Sequence, residues 1–170
     1  MAFDAQPQIP SAAVSALIQT LQLQPHPEGG WYRELHRSTQ QVRRPDGALR
    51  SGLTAILFLL EAGSISRWHR VRDADETWHY AGGDPLELRR LAPQGGLEEL
   101  CRLGPWSATQ PDHSPLLVVP AGYWQAARSL GAWSLVSCCV GPGFAFEDFD
   151  LLRDLPPELA GSLGVDPLWL

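Results

Sequence analysis

Positive charge is scarce in this sequence, and it is never concentrated. The 170 residues contain 13 Lys and Arg against 19 Asp and Glu, which gives a formal net charge of -6 and a pI near 5.3. Basic residues adjoin only in pairs, such as Arg43-Arg44 and Arg89-Arg90. Because a nucleic-acid-binding surface normally shows a basic stripe, we predict that the protein has no nucleic-acid partner.

Long apolar runs and cysteine are also scarce. No apolar stretch reaches the roughly 20 residues that a membrane-spanning helix needs. The N-terminus lacks the basic-then-apolar order of a secretory signal, so we expect a soluble, cytoplasmic protein with no membrane partner. Cys101, Cys138 and Cys139 have no CxxC spacing. This excludes a disulfide framework and a structural zinc site of the usual kinds, and favours a role as small apolar fillers.

Turn-forming residues, in contrast, are plentiful. With 16 Gly, 15 Pro and 44% apolar residues, the composition is typical of a turn-rich, globular β protein. The length fits one domain. We predict a flexible N-terminus over residues 1–10 and a single domain over residues 11–152. A C-terminal tail follows over residues 153–170, where Pro156-Pro157 can open a short helix.

The apolar periodicity predicts one helix followed by many short strands. Ser11 has the character of a helix N-cap, and Val14, Leu17, Ile18 and Leu21 follow at helical spacing. Alternating or continuously apolar segments bounded by turns then predict strands. These segments are Trp31 to Arg37, Leu53 to Leu60, Arg67 to Val71, Glu76 to Ala81, Leu86 to Leu91, Leu97 to Leu103, Leu116 to Val119, Tyr123 to Ser129 and Trp133 to Val140.

A metal-binding pattern with one ligand missing runs from Gly63 to Gly83. Its spacing is that of the first metal motif of the cupin superfamily, with His69 and Glu76 in place and Val71 where a second His is expected. Residues two apart in a strand share a face, so two imidazoles and a carboxylate from the next strand can surround a metal. Val71 offers no lone pair, and the predicted site loses a donor.

The second cupin motif is altered in the same way. Pro120 and Gly122 fit it, but Gln125 stands at the His position. A neutral amide is a poor substitute for imidazole at a transition metal. We therefore predict no cofactor and no intrinsic metal; if a metal binds at all, its ligands are His69, Glu76 and Gln125.

Three segments together resemble one subfamily of the cupin superfamily, a group of small cupin-domain proteins. The match covers most of residues 21–152 in order, which makes it specific. The first segment is PHPEGG at 25–30, followed by ELHRS at 34–38. The second is WHR at 68–70 with DETWH at 75–79. The third is PAGYWQA at 120–126, followed by GPGFAFEDF at 141–149.

The resemblance implies a mainly all-β fold, the double-stranded β-helix or cupin jelly roll, with the short helix before it. It also implies a homodimer with one small-molecule pocket in each barrel. The family's pockets are similar in outline to those of metal-free sugar-nucleotide epimerases. This likeness is one of fold and does not imply the same reaction.

Strand alternation then predicts which side chains face this pocket. If His69 points inward, Arg67 and Val71 do so too. If Glu76 points inward, Trp78 and Tyr80 join it, and Thr77 and His79 face away. Gln125 completes the predicted lining, which offers hydrogen bonds and stacking surfaces to a ligand.

Three of these residues are candidates for catalysis. His69 titrates near neutral pH and can act as a base, Glu76 can orient it or act itself, and Tyr80 can return a proton as an acid. The remaining pocket residues, Arg67, Trp78 and Gln125, are predicted to bind the ligand. The structural alternatives are a hydrogen-bonded interior histidine at position 69 and an internal ion pair between Glu76 and Arg67.

The glycine-rich loop before the first long strand adds further ligand-binding candidates. His26 and Glu28 can cap the mouth of the barrel, and Glu34 follows on the strand. The alternative for His26 is a loop residue that bonds its own backbone. Arg33 and Arg37 are predicted to share a face of this strand, in a solvated or dimer-edge position.

Three functional hypotheses follow. The first is a cupin that binds a small polar metabolite, sugar-like or nucleotide-like, and epimerises or isomerises it without a metal. The second is a non-catalytic module that binds or senses the same ligand. The third is a metal-dependent cupin enzyme that recruits His26 or His79 to complete its ligands.

Overall fold

A computed structural model describes residues 11–170, and the expected flexible N-terminus at residues 1–10 lies outside this range. Two α-helices and 14 strands form in the described residues. The helices are α1 (Ala12–Leu21) and α2 (Pro157–Leu163). The strands are β1 (Gln24–Pro25), β2 (Trp31–Arg37), β3 (Gln41–Arg43), β4 (Leu49–Ser51), β5 (Thr54–Glu61), β6 (Ile65–Val71), β7 (Asp75–Gly83), β8 (Leu86–Leu91), β9 (Glu99–Leu103), β10 (His113–Ser114), β11 (Leu116–Val119), β12 (Trp124–Ser129), β13 (Trp133–Gly141) and β14 (Phe149–Leu151).

Two six-stranded sheets form the jelly roll, which confirms the predicted all-β fold. The first has the order β1-β2-β5-β13-β7-β11, and the second has the order β10-β9-β8-β12-β6-β14. Strands β3 and β4 pair separately as a hairpin. From β5 to β8 and again from β10 to β14, consecutive strands alternate between the two sheets, and side chains from both sheets meet in one interior.

The N-terminal helix forms as its sequence predicts. The Ser11 hydroxyl accepts a hydrogen bond from the backbone N–H of Val14 at 3.3 Å, and the helix ends at Gln22 in the left-handed conformation. Val14 is fully buried against Leu59, on the outer side of the first sheet. The apolar stripe of the helix therefore covers that sheet.

The interior is divided along its length into a packed core and a cavity. Aliphatic and aromatic side chains from both sheets, among them Phe58, Leu88 and Val136, fill the packed part. The C-terminal segment 153–170 packs on the outer face of the second sheet, where Leu163 and Trp169 are buried. Its predicted short helix is α2, which begins at Pro157. No helix in residues 11–170 is long and apolar enough to cross a membrane.

Candidate functional site

A cavity of about 200 Å³ opens between the two sheets at the end of the barrel that the core leaves unfilled. Polar groups from the loop 25–30 and from strands β2, β6 and β7 face aromatic side chains from the segment 144–149. The lining residues are His26, Glu28, Tyr32, Glu34, Arg37, Thr54, Ile56, Phe58, His69, Val71, Glu76, Trp78, Cys138, Val140, Phe144, Ala145, Phe146 and Phe149.

The loop 25–30 needs its glycines to reach the cavity. Gly29 has a φ of 109°, and a Cβ there would overlap the carbonyl oxygen of Ile65. This close approach lets the backbone N–H of Arg67 donate to the carbonyl of Glu28 at 2.8 Å. The loop is thereby fixed on β6, and His26 and Glu28 are placed inside the barrel mouth.

Glu28 is the hub of the polar cluster. Its carboxylate accepts a hydrogen bond from the Ser66 hydroxyl at 2.8 Å. The other carboxylate oxygen lies 3.3 Å from Nε2 of His69 and 3.3 Å from Nδ1 of His26. Burial raises the pKa of Glu28, but the two imidazoles and the Ser66 hydroxyl outweigh it, and the net pKa is lowered. A carboxylate therefore stays charged deep in the cavity.

His69 is held in one tautomer. Its Nδ1 lies 2.7 Å from the carbonyl oxygen of Arg67, and a carbonyl can only accept, so Nδ1 carries the hydrogen. Burial lowers the pKa of His69, and the Glu28 charge and the Arg67 carbonyl only partly offset this. The lowered pKa favours the neutral ring near neutral pH, and Nε2, which then carries no hydrogen, lies 3.3 Å from the Glu28 carboxyl group.

Glu76 is the second buried carboxyl group, and a chain of hydrogen bonds fixes it. Trp78 donates from Nε1 to the amide oxygen of Gln125 at 2.9 Å, and the amide nitrogen of Gln125 donates to Glu76 at 2.6 Å. Burial, assisted by the Glu28 charge, raises the pKa of Glu76 to about 7. Glu76 forms no pair with Arg67. Two carboxyl groups with opposite pKa shifts thus share one cavity.

A β-bulge decides which residue of β6 accompanies His69. His69 pairs with Gln125, but Ser66 pairs with Ala127, so β6 has one residue more than β12 between the two pairs. Ser66 therefore points inward. Arg67, which the alternation predicted there, instead donates to the Glu28 carbonyl at 3.2 Å and does not line the cavity.

A second bulge, at Leu35, changes the prediction for β2. Glu34 pairs with Ile56 and His36 pairs with Ala55, so Leu35 is the extra residue. Arg37 consequently shares the cavity face with Glu34 rather than with Arg33. The Arg37 guanidinium donates to both carboxylate oxygens of Glu34, at 3.0 and 2.7 Å. This pair lies at the cavity mouth.

Gln125, predicted to line the cavity, is instead buried against Trp78 and Glu76 and is not among the lining residues. Two other candidates lie away from the cavity. Tyr80 packs at the edge of the filled core, and its hydroxyl donates to the carbonyl of Gly83 at 2.6 Å. It does not line the cavity, so the geometry gives no support to its predicted role as the acid. His79 bonds the Thr77 hydroxyl at 2.9 Å, on the outward face that the alternation predicted.

The segment 144–149 supplies an aromatic wall whose side chains were not among the residues predicted for the site. Phe144, Phe146 and Phe149 line the cavity, and Phe149 lies 5.5 Å from His69, ring centre to ring centre. Asp148 fixes the segment by accepting hydrogen bonds from Arg50 at 2.7 Å and Arg44 at 2.9 Å. The alternation of aromatics with acids in FAFEDF was the available signal.

The surviving donors do not fit a transition metal. Both polar atoms of the Gln125 side chain are engaged, the oxygen by Trp78 and the nitrogen by Glu76. Val71 contributes only an apolar side chain. Within residues 11–170, no group of three or more His, Cys, Asp or Glu side chains is arranged to hold a metal ion.

Comparison with known families agrees with the fold. The family model described as Cupin superfamily (DUF985) matches residues 15–152. The chain belongs to this family. A search of curated protein sequences gives no match.

Two solved structures are similar to this chain over most of its length. A hypothetical protein from Leishmania major is 31% identical, with a TM-score of 0.74 over 88% of this chain and 96% of that one. Protein SO0799 from Shewanella oneidensis is 32% identical, with a TM-score of 0.72 over 88% and 94%. Oxalate decarboxylase from Bacillus subtilis shares the fold alone. It is 18% identical, with a TM-score of 0.57 over 84% of this chain and 34% of that one.

Proposed function

We propose that this cupin binds a small polar metabolite, sugar-like or nucleotide-like, and epimerises or isomerises it without a metal. One observation carries the proposal: Glu28 and Glu76 share the cavity, with pKa values shifted in opposite directions. Carboxyl groups whose environments separate their pKa values are typical of acid–base sites.

In this proposal His69 is the base and Glu76 is the acid. Nε2 of His69 takes a proton from a carbon next to a carbonyl group of the ligand, while Glu28 stabilises the imidazolium that forms. Glu76, with a pKa of about 7, returns a proton to the same carbon or to its neighbour. The first outcome is epimerisation. The second is isomerisation, in which the carbon that loses the proton bears a hydroxyl group and the proton of that hydroxyl moves to the former carbonyl oxygen. Gln125 and Trp78 hold the Glu76 carboxyl group in place.

Proton exchange with solvent tests this proposal without a known substrate. The protein is incubated in D₂O with a small-molecule cell extract, and metabolites that gain one deuterium are identified by mass spectrometry. We expect His69→Ala and Glu76→Gln to abolish the gain, while the circular dichroism spectrum and thermal unfolding show an intact fold. Undiminished exchange with His69→Ala would contradict the assignment.

The second candidate is a module that binds the same ligand without turnover. The absence of Tyr80 from the cavity lining favours it, because that hydroxyl was the expected acid on the other side of the ligand. In this case Glu76→Gln weakens ligand binding, and no deuterated product forms. Native mass spectrometry of freshly purified protein separates the alternatives further, since it reports co-purified ligand, bound metal and the proposed homodimer together.

A further inference from the structure

The charge of the ligand can be inferred from the groups that meet it. Three carboxyl groups, Glu28, Glu34 and Glu76, line the cavity, and Arg37 is the single arginine among the lining residues. The sequence contains no lysine. Since these three carboxyl groups outnumber the one guanidinium, a phosphate or carboxylate placed inside would meet an excess of negative charge.

Arg37 is already neutralised. Its Nε and Nη2 atoms donate to the two oxygens of Glu34, and its Nη1 atom donates to the carbonyl of Phe144 at 2.9 Å. A bidentate pair of this kind matches the geometry with which arginine binds phosphate. Glu34 therefore occupies the position that an anionic ligand group would need.

The size and the walls of the cavity narrow the range of possible ligands further. A volume of about 200 Å³ is below the roughly 300 to 1,000 Å³ of pockets for drug-sized ligands, so a single ring fits better than a nucleotide. Phe146 and Phe149 offer flat apolar faces on one side. Carboxylates that accept hydrogen bonds from hydroxyl groups lie on the other, as Glu28 already does with Ser66.

We infer that the cavity takes an uncharged, single-ring polyhydroxy compound, and that Glu34 excludes its phosphorylated forms by holding Arg37. The inference rests on the proposed function, because it concerns the ligand of the same cavity, and it narrows that ligand to the sugar-like class. Glu34 is a specificity-determining residue in this reading and has no part in proton transfer.

Glu34→Gln tests the inference with inorganic phosphate as the probe. The substitution keeps the shape of the side chain and removes its charge, which leaves the Arg37 guanidinium uncompensated. We expect phosphate to bind the variant at least tenfold more tightly than the wild type, as measured by titration with the Arg37 Nε resonance as the readout. Asp112→Asn is the matched control, because Asp112 pairs with Arg102 at 2.9 Å on the exposed surface.

A panel of neutral monosaccharides and their 6-phosphates completes the test by ligand-observed NMR. We expect the wild type to bind at least one neutral sugar and none of the phosphates, and Glu34→Gln to accept the phosphate of that sugar. Unchanged phosphate affinity in Glu34→Gln, binding of no neutral sugar, or wild-type preference for a sugar phosphate would each overturn the inference. An anionic metabolite that exchanges deuterium in a His69-dependent way would overturn it while leaving the proposed function standing.

Discussion

Neighbouring residues on two strands of the second sheet have opposite environments. On β6, His69 points into the barrel and Trp68 points out of it; on β12, Gln125 points in and Trp124 points out. All four side chains are buried. On the inner side, His69 lies 3.3 Å from the Glu28 carboxyl group, and Gln125 donates a hydrogen bond to Glu76. The outer pair packs with Leu152 and Trp169 beneath the C-terminal segment.

The difference shows how one sheet separates stability from function. On the outer face, the indole nitrogens of Trp68 and Trp124 have no hydrogen-bond partner among residues 11–170, and apolar burial outweighs that loss. On the inner face, both polar atoms of the Gln125 side chain have a hydrogen-bond partner, although an apolar side chain would be less costly to bury. Polar groups retained in this way favour a functional role for the inner face.

Truncating the outer face should have the largest effect on stability. Trp124→Ala removes a fully buried indole from the cluster of Leu91, Leu152 and Trp169. We expect the free energy of unfolding to fall by about 3–5 kcal/mol, measured by urea denaturation. Trp106→Ala is the control, since Trp106 is 69% exposed and its loss should change stability by less than about 0.5 kcal/mol. Similar losses for both would contradict the role of the cluster.

On the inner face, Glu76 should make stability depend on pH. The folded state holds the Glu76 proton up to a pH of about 7, whereas the unfolded chain releases it near 4.5. Stability from this group is therefore lost as the pH rises through that window, by up to about 3 kcal/mol. Glu76→Gln should remove this loss.

The measurement is the free energy of unfolding of both proteins between pH 5 and pH 8. His69, whose lowered pKa acts in the opposite direction, is common to both, so the difference between the two curves isolates Glu76. Parallel curves would show that Glu76 titrates normally.

Breaking the inner hydrogen-bond chain should cost less than truncating the outer face. Gln125→Leu leaves the indole N–H of Trp78 buried without a partner, for an expected loss of about 1–3 kcal/mol. It also removes the donor that lowers the pKa of Glu76, so that pKa should rise above its wild-type value. Carbon-13 NMR titration of the carboxyl group measures the shift. A lowered pKa would mean that Gln125 does not hold Glu76.

Sequence spacing located the centre of the site but not its edges. The cupin positions correctly brought His69, Glu76, Trp78 and Gln125 together, because hydrogen-bonded pairing of regular strands converts spacing into faces. Strand alternation gave the wrong inward-facing residues where a β-bulge interrupts the strand. Because of the extra residue on β6, Ser66 rather than Arg67 points into the barrel. The extra residue on β2 brought Arg37 to Glu34. A bulge depends on how two strands pair, and neither strand carries that information alone.

The sequence by itself determined the jelly roll, the helix that begins after Ser11, and the loss of two metal ligands at Val71 and Gln125. These follow from local periodicity, capping and the chemistry of single side chains. Only the tertiary structure decided that Glu28 joins His69 across 41 residues of chain, that Gln125 donates to Glu76, and that Glu34 neutralises Arg37. Those contacts depend on long-range register and on burial, which shift pKa values only once the barrel has closed around them.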